Sequence, residues 1–196
     1  YRLVGSEMCI RDRELVVPFH YFGITDLNIN GEIIDEKSDF NKLICDERVE
    51  RILDISDKYG CDDNIIRGIV FCSRKDEAYE LANKFNLKGR KSITLTGSQS
   101  EDERENAIQQ LESDNLEEKL EFIFAVDIFN EGIDIPRINQ IIMLRPTQSN
   151  IIFIQQLGRG LRRFEKKEYL TVIDFIGNYQ NNFLIPVALF GDTSYN

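Results

Sequence analysis

Apolar positions along this chain follow two different spacings. From residue 68 onwards, short apolar runs rich in β-branched side chains alternate with longer stretches in which apolar residues recur at helical spacing. The order of strand and helix predicts βαβ units, and therefore a parallel sheet with helices on both faces. The predicted strands are 68–73, 91–97, 121–126, 138–144 and 168–176, and the predicted helices are 74–86, 100–113 and 150–164.

The residues before this region have weaker patterns. Residues 14–24 read as an extended segment, 28–39 as a polar loop, and the stretch 40–60 has apolar residues near helical spacing, with Gly60 as the stop signal. Residues 1–13 show neither period and resemble a translated sequencing-adaptor tail. We therefore interpret 1–13 as a non-native leader.

The composition narrows the function classes. The formal net charge is −10, which argues against a broad electrostatic surface for nucleic acid and leaves only local contacts. The longest apolar runs are too short for a membrane span of about 20 residues, so no membrane partner is expected. The four cysteines match no zinc-ligand spacing, so we predict no metal site and expect reduced thiols in a cytoplasmic protein.

The predicted helix 150–164 carries the most distinctive chemistry. Gln155, Arg159 and Arg162 fall on one stripe roughly 60° wide, and glycine interrupts the helix beside them. A glycine lets another surface approach closely, and an arginine fork gives two charge-assisted hydrogen bonds to a phosphate. The stripe predicts a phosphate-facing site, with a plain solvated basic face as the alternative.

Several segments then match known motifs in order. "QQLGRGLR" (155–162) resembles motif VI of superfamily-two helicases, "GIVFCSR" (68–74) resembles motif IV, and "VDIFNEGIDIP" (126–136) resembles motif V. Gly97 and Arg104 match the G-x6-R element of the same proteins. With "VIDFIGNYQNNFLIP", the chain looks like the C-terminal RecA-like lobe of the bacterial helicases with restriction-enzyme-like helicase domains.

The resemblance implies a fold and a division of the chain. It implies an α/β, RecA-like parallel sheet with helices on both faces, in a single lobe with an N-terminal helical and extended appendage. Residues 14–60 would be the inter-lobe connector and leading helix, and 61–196 the helicase C-terminal domain. In such enzymes ATP and Mg²⁺ bind mainly to the first lobe, and this chain has no G-x-x-x-x-G-K-[ST] P-loop. We therefore expect no ATP hydrolysis by this chain alone.

The resemblance also implies a role for each matched residue. Arg159 and Arg162 would act as arginine fingers on the γ-phosphate, and Gln155 would couple the phosphate to the contact with the N-terminal RecA-like lobe. Gly132 and Asp134 would contact the nucleotide. DNA, favoured over RNA, would bind at Ser73, Arg74, Gly97, Ser98, Val126 and Asp127. Val126 replaces the usual threonine of motif V, so only its backbone amide would remain for a phosphate.

Two other functions remain open on the sequence. A RecA-like module could bind nucleic acid or a partner without catalysis, although such a module would not need the pair Arg159 and Arg162. A flavodoxin-like nucleotide binder would also be doubly wound, but it should carry a glycine-rich phosphate loop after its first strand, where this chain has "CSRKDE".

Overall fold

A seven-stranded sheet forms the centre of the molecule in a computed structural model of the chain. The structure describes residues 2–5, 17–24, 28–29, 32–33, 39–115, 117–126, 128, 135–145, 164–165 and 167–175. Its strands are β1 (Arg2–Gly5), β2 (Phe19–Gly23), β5 (Gly68–Phe71), β6 (Ser92–Leu95), β7 (Phe122–Ala125), β8 (Gln140–Met143) and β9 (Leu170–Asp174). The strand order is β1-β2-β9-β8-β5-β7-β6, and every neighbouring pair except β1 and β2 is parallel.

The five strands predicted from apolar runs are all confirmed, each a few residues shorter than predicted. Every side chain of β5, β7, β8 and β9 is buried, as expected for parallel strands that are covered on both faces. The helices described after β5 are α3 (Lys75–Leu87) and α4 (Glu101–Glu112), again close to the prediction. The predicted helix 150–164 lies outside the described residues, apart from Phe164.

Two apolar clusters cover the two faces of the sheet. On one face, Val49 and Ile52 of helix α2 (Asp46–Tyr59) and Phe85 of α3 pack in the same cluster as Val70 of β5. On the other face, Leu111 of α4 packs in a cluster with alternate side chains of the same strands. Adjacent strand residues point to opposite faces, so β5 and its neighbours supply both clusters.

The N-terminal region is joined to this sheet through β2. Strand β2 pairs in parallel with β9, and the buried hydroxyl of Tyr21 donates a hydrogen bond of 2.5 Å to Asp174 Oδ2. Burial and the Asp174 charge raise the pKa of Tyr21, so the phenol stays protonated as the donor. The single histidine, His20, stacks on Tyr169 with ring centroids 4.4 Å apart.

Three features of this region differ from the sequence patterns. The predicted loop 28–39 contains a small hairpin of β3 (Asn28–Ile29) and β4 (Glu32–Ile33). The predicted helix 40–60 is two helices, α1 (Phe40–Leu43) and α2, separated at residues 44–45. β1 lies inside the predicted leader and pairs antiparallel with β2 through backbone groups, which need no alternation of side chains. Whether residues 1–13 are native stays a prediction.

The described helices were also compared with the length and hydropathy that a bilayer requires. None of them is long and apolar enough to cross a membrane. Within the described part of the chain, no three side chains of the types His, Cys, Asp or Glu group together as metal ligands would.

Candidate nucleic-acid interface

The predicted nucleic-acid contacts follow three strands that end together. Phe71 of β5 and Leu95 of β6 are both in register with Ala125 of β7. The residues after these strand ends, 73–74, 97–98 and 126, therefore lie along the carboxyl edge of one parallel sheet. Working residues of open α/β sheets gather at this edge. The structure thus places Ser73, Arg74, Gly97, Ser98 and Val126 along one edge, where the strand pattern predicts them. Their contacts with nucleic acid stay predictions.

Arg74 places an exposed cation at this edge. It is the N-cap residue of α3, and its guanidinium donates two hydrogen bonds to Asp76, of 3.1 and 2.6 Å. The same guanidinium lies over the Phe40 ring, with Cζ 5.5 Å from the ring centroid. An exposed ion pair contributes little to stability, so Arg74 can exchange Asp76 for a phosphate at small cost.

The turn after β6 presents small polar groups to solvent. The buried Thr96 hydroxyl is 2.7 Å from the Ser98 hydroxyl, and the Thr96 amide donates to Gln99 Oε1 at 2.6 Å. Gly97 is exposed, and a Cβ added there would meet no atom within 4 Å. The fold itself therefore does not require glycine at 97, and the open space leaves room for a ligand backbone.

Arg104 closes the G-x6-R element onto this turn. Its Nη2 donates to the Gly97 carbonyl at 3.3 Å. The two residues that the motif pairs in the sequence are therefore in contact in the structure, and Arg104 holds the turn rather than pointing away from it.

The N-terminus of α4 is less suited to phosphate than its position indicates. In α4 the Ser100 hydroxyl accepts from the Glu103 amide, and the Glu103 carboxylate accepts from the Ser100 amide. These two bonds form a capping box, and the bonds that the Ser100 amide and hydroxyl donate to the Glu103 carboxylate lower the pKa of Glu103. The first turn is acidic throughout, with Glu101, Asp102 and Glu103. Carboxylates already fill the place that a phosphate would take.

Val126 also differs from expectation in one respect. Its amide, expected to remain available to a phosphate, donates to the Leu95 carbonyl at 3.2 Å. Its side chain is buried in the apolar cluster on the α2 and α3 face. A phosphate contact through this amide would therefore require the loss of a hydrogen bond between neighbouring strands.

The other predicted site residues lie outside the described residues. These are Gln155, Arg159 and Arg162 of the phosphate-facing stripe, and Asp127, Gly132 and Asp134 of the motif V segment. Their roles stay predictions.

A buried ion pair behind Arg74 was missed by the sequence reading. Arg48 of α2 donates to Glu77 Oε1 of α3 at 2.8 Å and also to the Leu43 carbonyl. Both side chains are only 2% exposed. The nearby Cys72 is fully buried, which raises the pKa of its thiol and keeps it protonated. The contact joins residues far apart in sequence, and no local pattern marks it.

The opposite, amino edge of the sheet carries a dense charged network. Arg67 precedes β5 and donates to Asp63 at 2.7 Å and to Asp114 at 3.4 Å. Lys119 precedes β7 and donates to the Ile66 carbonyl at 2.7 Å. A cavity of about 150 Å³ opens beside this network. Its lining includes Asp62, Arg67, Arg137, Asn139, Phe164 and Lys167.

Comparison with known proteins identifies the domain. The family model for the "Helicase conserved C-terminal domain" matches residues 47–164, more than half of the chain. Among curated proteins, the chain is 34% identical over 109 residues to the "Putative ATP-dependent helicase IRC3" of Saccharomyces cerevisiae, covering 56% of this chain and 15% of IRC3. It is 30% identical over 139 residues to the "Pre-mRNA-splicing ATP-dependent RNA helicase prp28" of Schizosaccharomyces pombe, covering 67% of this chain and 20% of prp28.

Solved structures show the same fold. The Escherichia coli DEAD-box protein SrmB superposes with a TM-score of 0.53 at 20% identity, covering 79% of this chain and 75% of that chain. A fragment of "a putative HsdR subunit of a type I restriction enzyme" from Vibrio vulnificus YJ016 superposes with a TM-score of 0.60 at 20% identity, covering 88% of this chain and 34% of that chain. The predicted RecA-like α/β fold is therefore confirmed.

The chain spans only a small part of the curated relatives that it matches, 15% of IRC3 and 20% of prp28. What these whole proteins do is therefore not established for this chain by the match. The domain itself is established by the order of its motifs, its parallel sheet and the family model: this chain belongs to the family of helicase C-terminal domains.

Proposed function

We propose that this chain is the second lobe of an ATP-dependent helicase or translocase that acts on nucleic acid. The observation that carries the proposal is that Arg74, Gly97 and Ser98 share the carboxyl edge of the sheet in a helicase C-terminal domain. These residues offer one exposed cation, one open backbone position and one exposed hydroxyl. Such contacts bind a strand backbone locally, which is compatible with a net charge of −10.

In this proposal the ATP site is shared between two lobes. A first RecA-like lobe would bind ATP and Mg²⁺, and this chain would complete the site with Gln155, Arg159 and Arg162, together with Gly132 and Asp134. An arginine that reaches the γ-phosphate stabilises charge in the transition state and is worth 10³–10⁵ in rate in well-studied nucleotide hydrolases. The names of IRC3 and prp28, which include "ATP-dependent helicase" and "ATP-dependent RNA helicase", support the use of ATP.

The test is ATP hydrolysis by a longer protein that carries both lobes. We expect nucleic acid to stimulate hydrolysis, and Arg159→Ala to lower kcat by about 10³-fold while ATP binding stays nearly unchanged. Arg163→Ala is the matched control, because Arg163 lies in the same segment but outside the motif. If Arg159→Ala hydrolysed ATP as fast as Arg163→Ala, the arginine-finger role would be wrong.

ATP hydrolysis by the same two-lobe protein can also show whether the substrate is DNA or RNA. We propose DNA as the substrate, because the motifs resemble those of restriction-enzyme-like helicases. Stimulation of ATP hydrolysis should therefore be greater with DNA than with RNA of the same sequence and length. Stronger stimulation by RNA would contradict this part of the proposal and would place the chain with the relatives that are named as RNA helicases.

A further inference from the structure

The segments that carry motifs V and VI each follow a strand at the carboxyl edge of the sheet. After each of them, the described chain resumes near the amino edge. The chain passes out of the described residues after Arg145, near the carboxyl end of β8, and returns at Phe164, shortly before the amino end of β9. The segment with motif V likewise runs from the end of β7 to Ile135, before the amino end of β8. The far ends of both segments therefore reach the amino edge.

Arg137 brings these two far ends into contact. Its guanidinium lies over the Phe164 ring, with Cζ 5.1 Å from the ring centroid. A second contact joins the same two ends: Lys167 Nζ donates to the Pro136 carbonyl at 2.9 Å. The Lys167 amide also donates to the Phe164 carbonyl at 3.0 Å, which holds these residues in a turn. The chain at the end of motif V and just after it is thus bound to the chain just after motif VI.

Arg137 also fastens both ends to a third element, the end of α4. Its amide donates to Glu112 Oε1 at 3.1 Å, and its guanidinium donates to the Glu112 carbonyl and to both carboxylate oxygens of Asp114. Hydrogen bonding to Arg137 lowers the pKa of Asp114. Asp114 in turn accepts from the buried Arg67. One planar side chain therefore contacts a ring, a carbonyl and a carboxylate at once, and a lysine has no equivalent fork.

We propose that Arg137 is a positioning residue for the motif VI segment. It sets where the segment re-enters the fold at Phe164, and through that anchor it sets how the guanidinium groups of Arg159 and Arg162 meet the nucleotide. This role rests on the proposed function. The geometry of a catalytic group matters on a small scale, since a displacement of about 1 Å far from the chemistry can cost 10²-fold in rate.

Arg90 supplies a matched control. The Arg137 and Arg90 side chains are each 21% exposed. The Arg90 guanidinium binds two carboxylates, Asp57 at 2.9 Å and Glu121 at 2.7 Å. Like that of Arg137 it lies over a ring, with Cζ 5.6 Å from the centroid of Phe122. It lies at the same edge of the sheet but next to β6 and β7, away from both motif-bearing segments. Removing Arg90 therefore costs similar contacts without touching Phe164.

The experiment compares Arg137→Ala, Arg137→Lys and Arg90→Ala in the longer protein with both lobes. We expect similar falls in melting temperature for the two alanine variants. We expect kcat to fall by at least 10-fold in both Arg137 variants, with KM for ATP changed less than twofold, and to stay within twofold of the unsubstituted protein in Arg90→Ala. Equal kcat for Arg137→Ala and Arg90→Ala, in an active parent protein, would overturn the positioning role.

A second measurement separates the two proposals. This chain contains no tryptophan, so Phe164→Trp in this chain introduces a single tryptophan at the anchor, which can be excited apart from the seven tyrosines. Adding Arg137→Ala should shift its emission and increase its quenching by acrylamide, whereas adding Arg90→Ala should change neither. No response to Arg137→Ala would overturn the anchor whatever the ATPase result. An unsubstituted two-lobe protein that failed to hydrolyse ATP would instead overturn the proposed function, and the positioning role with it.

Discussion

The two edges of the sheet differ in how their polar side chains are used. At the carboxyl edge, Arg74, Gly97 and Ser98 are exposed, and the single ion pair that Arg74 makes in the described structure joins it to a neighbour two residues away. At the amino edge, Arg67 and Arg137 join segments that are far apart in sequence. The first arrangement leaves groups available to a ligand, and the second ties the ends of strands and segments together.

The difference indicates that the two edges of the lobe have different roles, ligand binding at the carboxyl edge and structural contacts at the amino edge. Exposed polar groups with weak internal partners can exchange those partners for a nucleic acid at little cost in folding free energy. Partly buried cations with several partners contribute mainly to the geometry of the chain, because removing one leaves its partners without compensation. The experiments below test this division, beginning with the largest effect that we expect.

The largest effect should come from the buried pair behind the carboxyl edge. Arg48→Ala leaves the Glu77 carboxylate buried without its partner, and we expect it to lower the free energy of unfolding by about 3–5 kcal/mol. The double variant Arg48→Met with Glu77→Leu should recover most of this loss, because apolar side chains can replace a buried pair. Denaturant unfolding measures both. A loss below about 1 kcal/mol for Arg48→Ala would show that water reaches the pair.

Two glycines, one from each edge, sharpen the comparison. A Cβ at Gly68, at the amino end of β5, would lie 2.5 Å from the buried Phe122 ring, whereas a Cβ at Gly97 would meet nothing within 4 Å. We expect Gly68→Ala to cost about 1–3 kcal/mol of stability through overpacking. Gly97→Ala should leave stability nearly unchanged and weaken nucleic-acid binding. The comparison breaks if Gly97→Ala destabilises the fold as much as Gly68→Ala.

The titration of Lys119, at the amino edge, should make the free energy of unfolding depend on pH in a way that an exposed lysine would not. Burial lowers the pKa of Lys119 to about 8, from an ordinary value of 10.5. The unfolded state then binds more protons than the folded state between these values, so stability should rise as pH increases from 8 to 10.5. Because other groups also titrate there, the relevant quantity is the difference from Lys119→Met, in which this contribution should be absent. Parallel pH profiles for the two proteins would contradict the assigned shift.

The smallest effect should be that of Arg74 on binding. Arg74→Ala should weaken binding to a short DNA strand several-fold and reduce the salt dependence by about one phosphate contact. Arg51→Ala is the control, because Arg51 is exposed on α2 and does not follow a strand end of the sheet. Fluorescence anisotropy at several salt concentrations measures both variants. Equal loss in the two would mean that Arg74 acts only through the overall charge.

The sequence predicted the parts of the fold that depend on local pattern. The apolar runs predicted every strand from β5 to β9, and the helical spacing predicted α3 and α4 to within a few residues. The pairing of β2 with β9 could not be predicted, since it depends on which strand edge remains free after the others have paired. The end of α1 at Leu43 was missed as well, because the apolar spacing continues through residues 44–45.

The candidate site was predicted in place but not in detail. The strand pattern placed Ser73, Arg74, Gly97 and Ser98 at the carboxyl edge, where the structure has them, and their binding to nucleic acid stays a prediction. The motifs did not show that the Val126 amide binds the Leu95 carbonyl, or that carboxylates occupy the N-terminus of α4. The contacts of Arg48 and Arg137 were also missed, since each joins charged residues that the sequence places in separate elements.

The most direct measurement of the central claim is ATP hydrolysis by two preparations in the presence of DNA. One is this chain alone, and the other is the longer protein with both lobes. We expect the chain alone to show no turnover, since it has no P-loop, and the two-lobe protein to show DNA-stimulated turnover. Sustained hydrolysis by this chain alone, or none by the two-lobe protein, would contradict the shared ATP site.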